Sequence, residues 1–142
     1  MVQPLIGRER LGKRVELGDI FADSRQFIPR LRFEDVNANL SYFSRPFSEQ
    51  VALIDALEDP EVRTVVVLKP RQIGITTANC AHTFWATYTA QKPLRTIVVA
   101  DHNKTTKSIF KKFCTYYHHL PKRLKEANPF KLNQNDKTLV SQ

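Results

Sequence analysis

Glycine is scarce in this sequence, and it is unevenly placed. Four of the 142 residues are glycine, and three of them lie within the first 18 positions, so that Gly74 stands alone in all that follows. Glycine adopts positive φ angles at little steric cost and allows neighbouring groups to approach closely. We therefore expect Gly74 to occupy a backbone position that only glycine fits.

Cysteine and long apolar runs are also in short supply. The two cysteines, Cys80 and Cys114, form no C-x-x-C pair, and the four histidines have no metal-ligand spacing with them. This pattern excludes a disulfide scaffold and a structural zinc site, and it favours free thiols in a reducing compartment. No run approaches the roughly 18 apolar residues of a membrane span, and the N-terminus lacks the pattern of a signal peptide. The composition, 42% hydrophobic and 25% charged, is typical of one globular domain.

Acidic residues are outnumbered, and the surplus of positive charge lies in the last third of the chain. Lys and Arg total 22 against 14 Asp and Glu, and residues 101–142 alone carry 9 basic and 3 acidic side chains. A basic surface attracts polyanions such as nucleic acids through counterion release. The same charges fit a solvated helix face equally well, so the sequence leaves both interpretations open.

The apolar pattern after residue 45 predicts alternating helices and strands. Helical spacing of apolar residues indicates helices between Pro46 and Asp59, from Thr76 to Tyr88, and after Asp101. Two β-branched segments, 62–68 and 95–100, are almost wholly apolar, as is typical of strands buried on both faces of a parallel sheet. This order predicts an α/β fold built from βαβ units with a right-handed crossover.

Residues 1–45 show no steady period, and prolines interrupt them. We therefore predict a loosely ordered, irregular N-terminal arm over 1–45, followed by an α/β domain over 46–142. A sheet of only two strands leaves its edges unpaired, so we also expect marginal stability or a tendency to aggregate.

The turn after the first predicted strand, residues 69–77, reads Lys-Pro-Arg-Gln-Ile-Gly-Ile-Thr-Thr. Compared with the phosphate loop G-x-x-x-x-G-K-[ST], Gly74 matches the second glycine and Thr76 the hydroxyl residue, but Ile75 replaces the lysine. The phosphate cradle consists of backbone N–H groups and the positive end of the following helix. Phosphate binding therefore remains open if Lys69 or Arg71 supplies the cation, and an ordinary turn with two surface cations is the alternative.

Residues 69–77 resemble the deviant Walker A loop of phage terminase large subunits, the ATP-driven motors that package viral DNA into procapsids. That family often has Arg-Gln, one residue and then Gly in the loop, and some members carry their lysine where Lys69 stands. The segment 46–50 stands in the place of the family's adenine-recognition segment, and residues 97–109 resemble its next strand and helix. The resemblance covers about residues 44–120 and implies a partial P-loop NTPase parallel sheet with flanking helices.

The resemblance implies that matched residues bind ATP and Mg²⁺. Lys69 would contact phosphate, and Arg71 would face the γ-phosphate as a candidate arginine finger in the same chain. Thr76 would bind Mg²⁺ through its hydroxyl, with Thr77 as a second phosphate contact.

Further implied roles concern the base, the shape of the loop and the partners. Gln50 would read the adenine edge with Phe47 packed near the ring, while Gln72 and Gly74 would shape the loop. The implied partners are double-stranded viral DNA, the terminase small subunit and the portal protein, in the host cell cytoplasm and away from membranes. A homo-oligomer is possible for the full-length protein.

ATP hydrolysis also needs an Asp that holds Mg²⁺ and a neighbouring Glu that activates water. Asp101 ends an apolar strand, but His102 follows it, and such an Asp is also a common helix N-cap. In terminases the Walker B strand, the catalytic Glu and the nuclease domain lie further along. We therefore expect the front part of such a protein, truncated before Walker B and with little ATPase activity by itself. The alternatives are another P-loop translocase or helicase-like ATPase, and a small non-enzymatic basic DNA-binding protein.

Overall fold

A computed structural model describes residues 16–35, 37–69, 73–92, 94–133 and 138–141. These residues form a mixed fold of helices and short strands. The helices are α1 (Leu17–Ala22), α2 (Ser24–Phe27), a 3-10 helix (Ile28–Arg30), α3 (Ser48–Glu58), α4 (Ile75–Tyr88), α5 (Asn103–His118) and α6 (Lys122–Ala127). The strands are β1 (Arg32–Glu34), β2 (Leu40–Tyr42), β3 (Phe130–Asn133) and β4 (Thr138–Ser141). No helix in the described part of the chain is both long and apolar enough to cross a membrane.

Helix α4 lies at the centre of the hydrophobic core. Its apolar positions recur at helical spacing, so Ala81, Phe84 and Tyr88 share one face and are fully or almost fully buried. The neighbouring elements cover that face with buried apolar side chains: Phe27, Leu31, Phe43, Ile54, Tyr116, Leu120, Leu124 and Phe130. Aromatic rings contribute much of this contact, since the Tyr88 ring lies 4.7 Å from that of Phe130 and the Phe84 ring 5.8 Å from that of Tyr116. The core therefore fixes the position and direction of α4.

The segment 17–31, which the sequence places in a loosely ordered arm, packs into this core. Phe27 and Leu31 are fully buried, and Trp85 Nε1 of α4 donates a hydrogen bond of 3.0 Å to Phe21 O. Its helices are too short to show a period in the sequence, which explains the difference. Residues 1–15 lie outside the described residues, and the domain boundary at residue 45 stays a prediction.

The three helices predicted after residue 45 are confirmed as α3, α4 and α5. The buried residues of α3 are Gln50, Leu53 and Ile54. Phe47 precedes the helix as its N-cap and is 58% exposed. The register of α3 is therefore set partly by a polar side chain, Gln50.

The predicted parallel sheet is not formed by the described residues. Their strands pair as two antiparallel ladders, β1 with β2 and β3 with β4. The predicted strands 62–68 and 95–100 have neither turns nor bends, but no described strand pairs with them. A strand bonds to its neighbours and not within itself, so an apolar β-branched segment without a neighbour stays outside any sheet.

Both segments nevertheless keep the alternation of a strand. Val66 and Leu68 are 90% and 102% exposed while Val67 between them is 44% exposed, and Ile97 and Val99 flank the less exposed Val98 in the same way. Alternate side chains of a strand point to opposite faces. One face of each segment is therefore less exposed than the other, and both carry apolar side chains that are open to solvent.

Candidate functional site

Gly74 begins the central helix in a left-handed conformation. Its φ is 69° and its ψ is 10°, and its carbonyl accepts the hydrogen bond of 2.9 Å from Ala78 N. A residue with a β-carbon is strained in this region, whereas glycine is not. The expectation that Gly74 stands where glycine is needed is confirmed.

A second contact restricts the same position. A β-carbon added at Gly74 would lie 2.5 Å from Nε2 of Gln50, which is far closer than van der Waals contact. Gln50 comes from α3, so α3 and the start of α4 approach each other through this glycine. Backbone conformation and close approach therefore both require glycine here.

Gln50 ties the loop to α3. Its Nε2 donates to the carbonyl of Ile73 at 2.9 Å, and its Oε1 accepts from the backbone N–H of Phe47 at 3.2 Å. The residue is only 8% exposed. A primary amide has two N–H donors and two acceptor lone pairs, so one of each remains after these bonds. Gln50 is therefore a positioning residue for the loop, and its predicted contact with an adenine edge stays a prediction.

The first turn of α4 presents unused hydrogen-bond donors. Among the described residues no side chain caps this helix end, and the first turn contains no acidic residue. The first N–H groups of a helix have no partner within the helix, and the aligned peptide dipoles add positive potential there. An end of this kind binds anions such as phosphate.

Thr76 and Thr77 lie in this first turn, as predicted from the loop. Thr76 is exposed at the second helical position, and Thr77 is half-buried against α5. The carbonyl of Thr77 accepts a hydrogen bond of 3.0 Å from the hydroxyl of Tyr116. Helix α5 therefore supports the first turn of α4 directly.

Lys112 of α5 is a cation at this site that the sequence analysis assigned to a basic helix face. Its Nζ donates to the Thr77 hydroxyl at 3.3 Å. Burial raises the pKa of the neighbouring Cys80 thiol to about 11, and the positive charge of Lys112 partly opposes that rise. The sequence signal for this position of Lys112 is its spacing. Lys112 lies one helical turn before the buried Tyr116 and so shares its face of α5.

The remaining loop residues lie only partly within the described part of the chain. Lys69 is exposed at the end of segment 62–69, and no hydrogen bond or ion pair joins it to the described residues. Arg71 and Gln72 lie outside the described residues. The predicted roles of Lys69 as phosphate contact, of Arg71 as arginine finger and of Gln72 in shaping the loop stay predictions.

A narrow apolar cleft lies beside the loop. It has room for only about one water molecule, and Pro46, Gln50 and Ala78 are among its lining residues. The hydroxyl of Ser24, another lining residue, is buried without a hydrogen-bond partner in the described part of the chain. Gln50 lines the cleft and also bonds the loop, so the cleft and the start of α4 meet at this side chain. The segment predicted for base recognition thus borders an apolar recess next to the helix end.

Asp101 is not the N-cap of α5, and its role as a Walker B residue stays untested. The N-cap of α5 is His102, and the Asp101 carboxylate lies 3.6 Å from Nε2 of that exposed histidine. Within the described ranges no three His, Cys, Asp or Glu side chains group as metal ligands.

The basic surface of the C-terminal third is partly neutralised within the protein. Lys111 pairs with Glu34 at 2.7 Å, Lys122 pairs with Glu126 at 3.5 Å, and Lys125 donates to the carbonyl of His118. Lys104, Lys107 and Arg123 have no partner among the described residues. Exposed pairs are weak, but they leave fewer free cations than the sequence suggests.

His82 and Glu58 form a titratable contact where α4 packs on α3. Nε2 of His82 lies 3.3 Å from Oε1 of Glu58, within ion-pair distance but without hydrogen-bond geometry. Burial lowers the pKa of His82, and the carboxylate of Glu58 opposes the shift. The neutral imidazole is therefore the form that the folded protein favours.

Acidification is expected to weaken this packing. A lowered folded-state pKa means that the unfolded chain takes up the proton first, so the stabilisation is complete above the ordinary pKa of about 6.5 and is lost as the pH falls below it. We expect the Tm to decrease by a few degrees between about pH 7.5 and pH 5. His82→Gln should show a smaller decrease in calorimetry, whereas His102→Gln, an exposed control, should follow the wild type. Equal pH dependence in all three proteins would contradict this assignment.

Comparison with protein-family models, with curated proteins and with solved structures finds no match for this chain. The function proposed below is therefore supported by the loop residues and by the geometry at the start of α4.

Proposed function

We propose that this chain binds the phosphates of ATP at the first turn of α4, as the ATP-binding part of a terminase-type DNA-packaging ATPase. The observation that carries the proposal is the start of α4. There a left-handed Gly74 opens a 14-residue helix whose first turn has no acidic residue and is capped by no side chain of the described residues. A glycine turn that leads into a free helix N-terminus is the arrangement by which phosphate loops hold anions.

The chain's own residues supply groups suited to a nucleotide bound with Mg²⁺. The exposed hydroxyl of Thr76 would be the metal contact, and Lys112 would bring positive charge to the phosphates beside Thr77. Mg²⁺ would neutralise phosphate charge when bound. Lys69 and Arg71 add cations by resemblance, and Gln50 would contact the edge of the base.

The wider activity belongs to the same proposal. A terminase-type motor uses ATP hydrolysis to move double-stranded viral DNA, with a small subunit and a portal protein as partners, in the host cytoplasm. For the residues of this chain, the proposal is ATP and Mg²⁺ binding.

The two alternatives make different demands on the same residues. A helicase-like ATPase would use the same helix end, but its loop usually keeps the lysine that Ile75 replaces here. A basic DNA-binding protein would depend on free cations, several of which are paired internally. It predicts DNA binding that weakens with salt and is indifferent to ATP.

A matched pair of lysine variants tests the proposed site. Lys112→Met removes the ammonium beside Thr77, and we expect it to weaken binding of a fluorescent ATP analogue with Mg²⁺ by roughly tenfold to a hundredfold, the range for a lost charged hydrogen bond. Lys111→Met is the control, because Lys111 is the next residue and pairs instead with Glu34. Titration by fluorescence anisotropy measures both.

The proposal would be rejected by either of two results. One is a wild-type chain that binds no nucleotide at millimolar concentration while circular dichroism shows it folded. The other is an equal loss of affinity in both variants, since that would reflect net charge and not the position of Lys112.

A further inference from the structure

The two unpaired segments, 62–69 and 94–100, carry an apolar surface. Eight aliphatic residues on them are exposed by 38% or more: Val62, Val66, Val67, Leu68, Leu94, Ile97, Val98 and Val99. Exposed apolar side chains gathered on the same segment, unlike ones scattered singly, are typical of interaction surfaces.

The backbone of these segments is also unpaired. Beyond Val62, no backbone hydrogen bond joins residues 63–69 or 94–100 to any other part of the described chain. Rows of free N–H and C=O groups are a template for pairing with another strand. Apolar side chains and a free edge thus coincide on the same residues.

The segment 95–101 is complementary to itself in the antiparallel direction. If two copies pair about a twofold axis through Val98, Arg95 stands opposite Asp101 of the partner subunit, and Ile97 stands opposite Val99 of the partner subunit. All four residues are exposed. Arg95, Ile97 and Val99 alternate along one face of the extended segment, which ends at the bend at Asp101. On the other face the hydroxyl of Thr96 lies 2.6 Å from that of Thr87.

We propose that this chain forms a twofold dimer by antiparallel pairing of residues 95–101 with the same residues of a second copy. The register places an opposite-charge pair at each end of the shared ladder and aliphatic pairs between them, and both arrangements stabilise antiparallel strands. A twofold axis repeats every contact, so a single substitution acts twice. The segment 62–69 supplies additional apolar area in each copy. The proposal does not depend on nucleotide binding.

Charge exchange across the ladder tests the register. Arg95→Asp would place two carboxylates opposite each other at both ends, and Asp101→Arg would place two guanidinium groups there. Each is expected to weaken the dimer by roughly tenfold or more, since like charges directly opposite are destabilising. The double variant Arg95→Asp with Asp101→Arg restores the pairs in reverse and is expected to recover the wild-type dissociation constant within about threefold.

Sedimentation equilibrium of the full chain over micromolar concentrations measures these constants, and circular dichroism verifies the fold. Arg123→Asp, an exposed cation on α6, serves as a control of equal charge change and should leave the dimer intact. A wild type that stays monomeric would overturn the proposal. Formation of oligomers larger than a dimer, to the same extent in the wild type and the charge variants, would overturn the proposal too. The segment would then associate through non-specific apolar contact, or pair with a strand of another sequence.

Discussion

Gly74→Ala is expected to destabilise the protein by about 2–3 kcal/mol and to weaken ATP binding by more than tenfold. A β-carbon in the left-handed region costs roughly 1–2 kcal/mol, and here it would also lie 2.5 Å from Gln50 Nε2. The end of the Gln50 side chain is able to move, but moving it breaks the bond to Ile73 O, which contributes about 1 kcal/mol. The loop would lose the anchor that sets the direction of the first N–H groups of α4.

The chain offers a matched control at another glycine. Gly18 lies within α1, and nothing is within 4 Å of the position of an added β-carbon. Gly18→Ala is expected to be neutral or to stabilise by up to about 1 kcal/mol, because alanine favours the helix. Urea denaturation and the ATP-analogue titration compare the two variants.

A double variant separates the two causes. In a Gln50→Ala background the clash is absent, so Gly74→Ala should then cost only the backbone term of about 1–2 kcal/mol. If Gly74→Ala is tolerated as well as Gly18→Ala, the left-handed turn does not organise the site.

The conformation of Gly74 was predictable because its signals are local. A lone glycine between a β-branched segment and a helical pattern specifies a turn whose geometry depends on its own residues, and Gly74 takes the expected conformation. The helix after it is likewise marked by its own period. Gln50 was expected near the ligand, and it lies at the loop, but its partners Ile73 and Phe47 follow from how α3 packs against α4.

Lys112 illustrates what local signals leave open. The sequence shows a row of lysines on α5, and its period alone does not decide which of them turns towards α4. Tyr116 decides it, because this fully buried residue fixes the rotation of α5 and bonds the carbonyl of Thr77. That contact is between residues far apart in sequence, so no window of the sequence contains it.

The predicted strands fail for a related reason. Segments 62–68 and 95–100 have the right residues and keep the alternation of a strand, yet a sheet exists only when neighbouring strands complete the hydrogen bonds. Strand propensity is a property of the segment, whereas pairing is a property of its surroundings. In contrast, residues 32–42 contain weak strand signals but form β1 and β2, because the intervening turn places the two strands side by side.

Phe84→Ala is expected to have the largest effect on stability, a loss of about 3–5 kcal/mol. Phe84 is 1% exposed on α4, and its ring lies 5.8 Å from that of Tyr116 and 6.2 Å from that of Phe27. Truncation would open a cavity where α2, α4 and α5 meet, and the rings around it are too constrained by one another to fill it. A domain has only about 5–15 kcal/mol of stability in total, so much of the chain would be unfolded near body temperature.

Phe47→Ala provides the matched control, since Phe47 is 58% exposed and bonds Gln50 through its backbone groups, which alanine keeps. We expect it to change the free energy of unfolding by less than about 0.5 kcal/mol, as measured by urea denaturation. Together, the Phe84→Ala and Phe47→Ala variants distinguish a loss of folding from a loss of ATP binding. Phe84→Ala should lose ATP binding together with its folded signal, whereas Phe47→Ala should stay folded and lose affinity only if its ring packs against the base. A Phe84→Ala protein as stable as the wild type would show that the aromatic cluster does not hold α4, and the geometry at Gly74 would then need another support.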